Sequence, residues 1–222
     1  MKNLNLILAV FFILTASAGT AATIPNLWGE WEWNITELVQ VMNTPGGGGH
    51  PLSAANYLGG PTVDATIRIQ LWVQGDDPEG PNDPMPVANF PGEDIWLEIP
   101  GTVWCQGGEA TADGPTDDQG WFTFSQALNM GGWSDPEGDP PLVTVMVNGA
   151  PLHGLQGEPI WPTIVFNSPD INADLSVNIV DLSIFVPDYF GNYAFRSDFF
   201  WDGVLNLSDV AFMAIHMGEE CP

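Results

Sequence analysis

Positive charge is what this sequence lacks most. Its 222 residues include three lysine or arginine side chains, Lys2, Arg68 and Arg196, against 28 aspartates and glutamates, and the formal net charge is −25. Binding nucleic acid requires cations that neutralise its phosphates, and binding anionic lipid requires a polybasic segment. The composition therefore excludes nucleic acid and anionic membrane surfaces as expected partners. A strongly acidic surface instead favours divalent cations.

Catalytic signatures are also lacking. The chain has no G-x-S-x-G nucleophile elbow and no phosphate-binding loop, and its histidines show no H-E-x-x-H spacing. These histidines are His50, His153 and His216. Glu30 and Glu32 alternate with two tryptophans, a spacing that fits either a glycosidase carboxylate pair or an exposed edge strand. We therefore expect a protein that is not an enzyme.

A long apolar run occurs only near the start of the chain. Leu6–Leu14 follows a short polar segment and precedes small residues at Ala16-Ser17-Ala18 and Thr20-Ala21-Ala22. This order is typical of a secretory signal peptide, and the run is too short for an ordinary membrane-spanning helix. We predict that residues 1–22 are removed on export, and that the mature chain is secreted or held at the cell surface without a transmembrane span. An uncleaved N-terminal anchor is the alternative.

Cysteine is nearly absent as well, since Cys105 and Cys221 are the only two. An exported protein meets oxidising conditions, so these two residues are candidates for a disulfide. Such a bond would join the C-terminus to the middle of the chain. The sequence leaves open whether the two thiols pair, stay free or bond to another chain, because spacing does not reveal proximity.

Residues 23–167 are rich in glycine, proline and tryptophan between short apolar alternations. Within Val63–Val73, every second residue from Ile67 onward is aliphatic, which is the period of a strand with one buried face. Shorter strands are predicted at Asp94–Pro100, Trp121–Ser125, Leu142–Val147 and Thr163–Phe166. Ile35–Met42 fits either a helix or a strand. Short strands separated by such turns indicate a mainly β fold, an antiparallel β-sandwich.

One local phrase in this region points to a family. Thr116-Asp117-Asp118-Gln119-Gly120-Trp121-Phe122-Thr123-Phe124 resembles the T-D-x-x-G-x-x-x-F hairpin phrase of bacterial Ig-like domains. Pro86-Val87-Ala88-Asn89 and the strand at Ile95 lie roughly where that family has its preceding strands. The resemblance implies an Ig-like β-sandwich with acidic loop insertions. It implies no particular activity, because this fold hosts many functions.

Residues 168–222 contain two similar halves offset by 28 positions. Each half spaces oxygen-bearing residues as a calcium loop of about twelve residues does, at positions 1, 3, 5, 7, 9 and 12. In the first half these are Asp170, Asn172, Asp174, Ser176 (through its backbone carbonyl), Asn178 and Asp181. In the second half they are Asp198, Asp202, Val204 (through its backbone carbonyl), Asn206 and Asp209. Helix-compatible stretches follow at Leu182–Val186, ended by Pro187, and at Val210–Met217.

The two halves resemble the duplicated EF-hand-like repeat of the dockerin family, in which aspartate closes each loop and one helix follows it. Val177-Asn178-Ile179-Val180-Asp181-Leu182 and Leu205-Asn206-Leu207-Ser208-Asp209-Val210 match the V-N-x-x-D-L core of that repeat. The resemblance implies a small α-helical module that binds two Ca²⁺ ions and docks onto a cohesin-type receptor. It also implies partner contacts at loop positions 10 and 11, which here are Ile179, Val180, Leu207 and Ser208.

Each loop departs from the family pattern at one position. Leu175 replaces the glycine of position 6, so we expect a less sharp turn in the first loop. Phe200 occupies position 3 of the second loop, which removes a side-chain ligand and predicts weaker calcium binding there. Positions 10 and 11 lack the Ser-Thr pair of cellulosomal dockerins, so the expected partner is a cohesin-like or other cell-surface protein, or a second copy of this chain. Alternatively, Ile179, Val180 and Leu207 pack inside the protein.

The sequence supports one leading function and one alternative. We expect an exported, non-catalytic, calcium-binding structural or attachment protein, with an Ig-like spacer or display domain at residues 23–167 and a dockerin-like module at residues 168–222. The alternative is a polysaccharide-binding module, because the chain has ten tryptophans and planar aromatic rings stack on sugars. The tryptophans considered for sugar binding, or else as buried packing residues, are Trp28, Trp31, Trp33, Trp72, Trp104 and Trp133.

Overall fold

The computed structural model describes residues 27–33, 35–74, 83–105, 110–138, 143–158 and 160–222. The predicted leader at residues 1–22 lies outside this part of the chain. The described residues form a mainly β structure with antiparallel sheets, followed by two α-helices. Neither of these helices combines the length and apolar character that crossing a membrane requires.

The strands and helices follow one another without alternation of the two types. The strands are β1 (Leu27–Glu32), β2 (Val39–Met42), β3 (Ala55–Tyr57), β4 (Thr62–Val63), β5 (Ile67–Gln74), β6 (Pro84–Pro86), β7 (Ile95–Glu98), β8 (Thr102–Trp104), β9 (Trp121–Phe124), β10 (Met130–Gly132), β11 (Thr144–Val147), β12 (Ala150–Pro151) and β13 (Ile164–Asn167). The helices are α1 (Ile179–Phe190) and α2 (Leu207–His216).

The longest strand, β5, organises the largest sheet. Strands β1, β6 and β9 all pair with it in antiparallel register. Ile67, Ile69 and Leu71 of β5 are fully buried, whereas Arg68 and Gln70 between them are partly exposed. The alternation predicted from the sequence is therefore present, because successive side chains of a strand point to opposite faces.

Three further sheets, one of them also four-stranded, complete the described β region. One contains β7, β11 and β12, a second pairs β8 with β10, and a third has the order β13-β2-β3-β4. The pairing of β13 with β2 is parallel, whereas every other pairing of named strands in the described chain is antiparallel. A parallel pair requires a long connection. Here strands β3 to β12 lie between β2 and β13 in the sequence. This pair departs from the purely antiparallel arrangement expected from the sequence.

Most predicted strands overlap an observed one, with shifted ends. The predicted strand Val63–Val73 is divided, because the Thr66 backbone N–H donates to Oδ1 of Asp64 at 2.9 Å and forms a turn before β5 begins. The ambiguous segment Ile35–Met42 contains β2, whose four residues are all buried. A strand buried on both faces has no apolar alternation, which is why its pattern could not distinguish strand from helix.

The hydrophobic core extends from the sheets into the C-terminal part. The largest buried cluster belongs to the sheets and includes Ile67, Leu97 and Phe166. A second cluster joins Met42 of β2 to residues of the two predicted calcium loops and of both helices: Ile171, Val177, Phe185, Phe199, Phe212 and Met213. The C-terminal part therefore packs against the β region through a shared apolar cluster.

Both helices begin with the same cap. Asn178 accepts a hydrogen bond from the Val180 N–H at 2.8 Å, and Asp181 accepts one from the Asn178 N–H at 2.9 Å. Asn206 and Asp209 repeat this capping box at α2. The prediction that Pro187 ends the first helix is wrong, since α1 continues to Phe190 with Pro187 inside it. Pro187 lies on the exposed face, where solvent has access to the carbonyl that lacks the N–H a proline cannot offer.

Candidate metal centre

The two predicted calcium loops adopt the same backbone conformation. In the first loop, Ala173 and Leu175 have positive φ angles of 59° and 70°. The equivalent residues of the second loop, Trp201 and Gly203, have φ angles of 47° and 82°. The left-handed conformation at positions 4 and 6 therefore recurs in both loops. The expectation of a less sharp turn at Leu175 is wrong, because this leucine adopts the conformation of the glycine it replaces.

In the first loop, the carboxylates of Asp170 and Asp181, at positions 1 and 12, accept hydrogen bonds from backbone N–H groups of the loop. Asp170 accepts hydrogen bonds from the backbone N–H groups of Asp174, at 3.1 Å, and Leu175, at 2.8 Å. Asp181 accepts from the N–H groups of Asn172, at 3.1 Å, and Asn178, at 2.9 Å. Both carboxylates are fully buried. The loop is thus wrapped around two carboxylates whose remaining lone pairs stay available for a cation.

The first loop brings three carboxylates together. Asp170, Asp174 and Asp181 each offer a carboxylate oxygen, and these atoms all lie within 4.8 Å of one another. The amide of Asn172 donates to Oδ2 of Asp174 at 2.9 Å, and the amide of Asn178 donates to the Ser176 carbonyl at 3.0 Å. Three of the six residues predicted from the sequence therefore converge, and the other three are joined to one another or to Asp174 by hydrogen bonds.

The second loop repeats the backbone contacts but not the cluster. Asp198 accepts from the N–H groups of Asp202, at 3.2 Å, and Gly203, at 2.9 Å, while Asp209 accepts from those of Phe199 and Asn206, both at 2.9 Å. Among the described residues, no second group of three acidic side chains meets the distance criterion that the first loop meets. The predicted ligands Asp198, Asp202, Val204, Asn206 and Asp209 share a loop, and the amide of Asn206 donates to Asp202 at 3.0 Å and to the Val204 carbonyl at 3.3 Å.

A tyrosine that sequence reasoning missed contacts the second loop. The hydroxyl of Tyr193 donates to Oδ2 of Asp198 at 2.9 Å. Phe200, at position 3, instead packs edge-to-face on Phe212 of α2. A proton donor thus occupies one lone pair of the position-1 carboxylate. The first half has no tyrosine at the corresponding place, so the repeat itself gave no signal for this contact.

Electrostatics around the loops disfavour the charged carboxylates. Burial, together with the neighbouring Asp181 and Asp174 carboxylates, raises the pKa of Asp170 to about 6, although two backbone hydrogen bonds act to lower it. Burial likewise raises the pKa of Asp181, Asp198 and Asp209 above the usual aspartate value. A bound cation would offset this penalty, because it interacts favourably with the ionised form only.

The donor set and the packing fit a hard cation. Carboxylate, amide and carbonyl oxygens are the ligands that Ca²⁺ takes, in sets of about six to eight. Gly131 of β10 closes one side of the first loop, since a Cβ atom there would lie 1.7 Å from Oδ2 of Asp170. The Asp170 carboxylate therefore occupies a space that only glycine leaves open.

Buried side chains of the β region hold the second loop. The amide of Gln40 on β2 donates to the Asp198 carbonyl at 2.9 Å. The amide of Asn167 on β13 donates to the carbonyls of Phe195, at 2.8 Å, and Asp198, at 3.1 Å. The first loop is tied as well, because the N–H of Gly132 donates to the Asp170 carbonyl at 2.7 Å. Hydrogen bonds from the strands to backbone carbonyls therefore hold both loops against the sheets.

The C-terminus is also attached to the β region. Cys105 and Cys221 form a disulfide between residues separated by 116 positions, and their Cα atoms are 5.5 Å apart. Next to this bond, the N–H of Val177 donates to the Glu219 carbonyl at 2.8 Å. The sequence left open whether these cysteines pair, stay free or bond to another chain, and in the structure they pair with each other.

The residues predicted to contact a partner lie on the surface. Ile179, Val180 and Leu207 are 68, 47 and 75% exposed, and Ser208 is also exposed. The alternative that these side chains pack inside the protein is therefore wrong in this structure. They continue along the helices into further exposed apolar side chains: Val186 and Phe190 on α1, and Ile215 on α2.

The tryptophans considered for sugar binding occupy different environments. Trp28 is buried and pairs across the strands with Trp72. Trp31 and Trp33 have ring planes within 8° of parallel and centroids 6.0 Å apart, and Trp31 is 37% exposed. Trp104 and Trp133 are partly buried.

Sequence reasoning also missed an ion pair beside the second loop. The guanidinium of Arg196 donates twice to Asp188 of α1, at 2.7 and 2.9 Å, and the hydroxyl of Ser197 donates to the same carboxylate at 2.7 Å. Burial opposes ionisation of Asp188, but these hydrogen bonds and the charge of Arg196 hold its pKa below the usual value. The rarity of basic residues in this chain was the signal that could have drawn attention to Arg196.

Comparisons with known proteins add no assignment. Neither a scan against protein-family models, nor a search of curated proteins, nor a search of solved structures found a match to this chain. Functional reasoning therefore depends on the geometry described above.

Proposed function

We propose that this protein is an exported, non-catalytic attachment protein whose C-terminal loops bind Ca²⁺. The observation that carries the proposal is the convergence of Asp170, Asp174 and Asp181 within one loop whose shape the second half repeats. Each loop is followed by a capped helix, as in the dockerin-like repeat that the sequence resembles. The residues of the first loop would hold the stronger site, and those of the second loop the weaker one.

Calcium fits these loops better than magnesium or a transition metal. The donors are oxygen atoms, which excludes the thiolate and imidazole sets that zinc and copper prefer. Magnesium demands strict octahedral geometry and keeps most of its water, whereas the first loop brings three carboxylates within reach of one ion. When bound, calcium supplies positive charge to buried carboxylates. The role that follows for the bound ion is structural, since the loops pack on a shared apolar cluster.

Calorimetric calcium titration of the purified chain tests this proposal. Asp174→Ala removes an exposed ligand of the first loop, and Asp202→Ala removes the matching exposed ligand of the second. We expect the first substitution to abolish the tighter binding event and the second to affect only the weaker one. Asp118→Ala, on an exposed turn far from both loops in sequence, is the control. Absence of heat, together with an unchanged melting temperature in calcium, would contradict the proposal.

The β region is inferred to act as an Ig-like spacer or display domain. In the family-like phrase, Asp117 accepts hydrogen bonds from the N–H groups of Gln119, at 2.8 Å, and Trp121, at 2.9 Å, which places a tight turn before β9. Phe122 and Phe124 of β9 then enter the core. An experimental structure of the chain would test whether its sheets face each other as in an Ig-like sandwich.

The exposed apolar side chains of both helices are inferred to dock a partner. Ile179 and Leu207 occupy equivalent positions at the starts of α1 and α2, and each is more than two-thirds exposed. A cohesin-like or other cell-surface protein, or a second copy of this chain, would cover them. Sedimentation of the chain with calcium and with chelator, before and after the paired substitution Ile179→Glu and Leu207→Glu, tests self-association. A monomer under every condition would leave a different protein as the partner.

Polysaccharide binding is the second candidate function. The observation that favours it is the parallel arrangement of Trp31 and Trp33, because two rings in similar planes offer stacking surface to a sugar chain. The ring of Trp33 is fixed by a hydrogen bond from its indole N–H to the Thr163 hydroxyl at 3.3 Å. Affinity electrophoresis in gels containing polysaccharide, with Trp31→Ala as the variant, measures this activity. Unchanged mobility of the wild-type chain in all polysaccharides would eliminate it.

A further inference from the structure

A cavity of about 570 Å³ lies where the β region meets the second loop. The β region contributes Leu58, Trp133 and the acidic segment 135–137 to its walls, and the C-terminal part contributes residues 193–196, Trp201 and Gly203. Its size falls within the range typical of ligand pockets. None of the functions considered above uses this cavity.

Aromatic rings form a continuous part of the wall. The ring centroids of Trp133 and Phe195 are 6.4 Å apart, and those of Phe195 and Trp201 are 5.9 Å apart in an edge-to-face arrangement. Tyr193, half exposed, extends this wall towards solvent. The faces of such rings carry negative potential and attract cations.

The charge around the cavity is also negative. Asp135 and Glu137 are exposed, and neither forms an ion pair with any residue in the described part of the chain. The one basic side chain that lines the cavity, Arg196, is neutralised by its two hydrogen bonds to Asp188. Two carboxylates therefore line the cavity together with the aromatic rings, and no described residue forms an ion pair with either of them.

We propose that this cavity binds a basic side chain, an arginine or lysine of a partner protein. Carboxylates at the rim and aromatic faces at the wall are complementary to a guanidinium or ammonium group and its apolar stem. The chain's net charge of −25 would steer a cationic partner towards it.

A second copy of this chain is a poor source of that side chain. Arg68 already pairs with Glu32 and lies over the ring of Trp121, with its guanidinium carbon 4.0 Å from the ring centroid. Arg196 is held by Asp188. Both basic residues of the described chain are thus engaged within it, and the partner is a different protein.

The cavity is built partly from the second calcium loop. Trp201 and Gly203 are its positions 4 and 6, and Tyr193 donates to Asp198 at position 1. Affinity for a basic ligand is therefore expected to respond to calcium where the second loop binds it. The cavity itself does not depend on that proposal, because all of its lining residues except Trp201 and Gly203 lie outside the second loop.

Titration followed by NMR of the tryptophan indole N–H groups tests the inference on the full chain. The probes are capped tripeptides, Gly-Arg-Gly and Gly-Lys-Gly, with Gly-citrulline-Gly as the neutral isostere of the arginine peptide. We expect the basic peptides to shift the indole signals of Trp133 and Trp201. The citrulline peptide should bind about tenfold more weakly, since it lacks the charge that the rings and carboxylates recognise.

Isosteric variants test whether the carboxylates of Asp135 and Glu137 contribute to binding of the basic peptides. Asp135→Asn and Glu137→Gln should each weaken binding of the arginine peptide by about two- to fivefold, the usual effect of one exposed charge pair. Glu93→Gln changes an exposed carboxylate that does not line the cavity, and should leave the affinity unchanged. Both Asp135 and Glu137 are exposed, so these variants are expected to fold normally.

Three results would overturn the inference. The first is no indole shift with either basic peptide at millimolar concentration. The second is equal affinity for the arginine and citrulline peptides. The third is a shift of the same two indoles by a neutral sugar but not by the peptides. Measuring with calcium and again with chelator separates the proposals, because peptide binding without calcium binding supports the cavity alone.

Discussion

The calcium-free protein should lose stability as the pH rises from 4 to 7. Burial raises the pKa of Asp170 from the usual 3.8 to about 6 in the folded chain. Between these two values the folded state keeps a proton that the unfolded state has released. Unfolding therefore releases protons in this window, and the free energy of unfolding decreases as the pH increases.

The magnitude follows from the size of the pKa shift. A shift of about two units corresponds to about 3 kcal/mol for Asp170 alone. The contribution is fully present below pH 3.8 and is lost once the pH exceeds about 6. Asp181, Asp198 and Asp209 act in the same direction, because burial raises their pKa values too. Asp188 acts oppositely, since its pKa is lowered and its stabilisation is present only above the unfolded value.

Urea unfolding at several pH values, with chelator and with excess calcium, measures this effect. With chelator we expect the midpoint to fall as the pH rises, and with calcium the decline should disappear, because a bound cation favours the ionised carboxylates. Asp170→Asn should flatten the chelator series, whereas Asp118→Asn should not. A chelator series in which stability is constant or increases from pH 4 to 7 would refute the reasoning.

Three further predictions concern single residues near the metal centre. Cys221→Ser should lower the free energy of unfolding by about 4–5 kcal/mol, because the bond to Cys105 closes a very long loop, and denaturant unfolding with and without reductant checks this. Gly131→Ala should abolish high-affinity calcium binding, since its Cβ would lie 1.7 Å from Asp170, and wild-type affinity in calorimetry would contradict this. Ala173→Gly should raise the free energy of unfolding by about 1 kcal/mol, and the melting temperature with it, because Ala173 has a φ angle of 59° that glycine adopts without strain. An unchanged or lower melting temperature would count against backbone strain at this residue.

The sequence predicted those strands and helices whose pattern of apolar residues is set by one buried face. Strand β5 has one buried face, so its alternation was visible, whereas β2 is buried throughout and its pattern was ambiguous. Pro187 was expected to end α1, but the helix continues to Phe190. The one backbone hydrogen bond that Pro187 cannot donate lies on an exposed turn, and its loss is tolerated because neighbours such as Phe185 are packed in the core. The parallel pairing of β13 with β2 joins distant segments, and no local pattern indicated it.

For the candidate site, the sequence alone predicted the three carboxylates that converge in the first loop, Asp170, Asp174 and Asp181. It could do so because Asp170 accepts hydrogen bonds from N–H groups four and five residues later, and such contacts depend on spacing within one short segment. Only the tertiary structure decided which cysteine state is realised, and that Gly131 stands against Asp170. It also decided that Trp133 and Trp201 share a cavity wall. These contacts join residues separated by tens of positions, and packing of the whole core sets their distances.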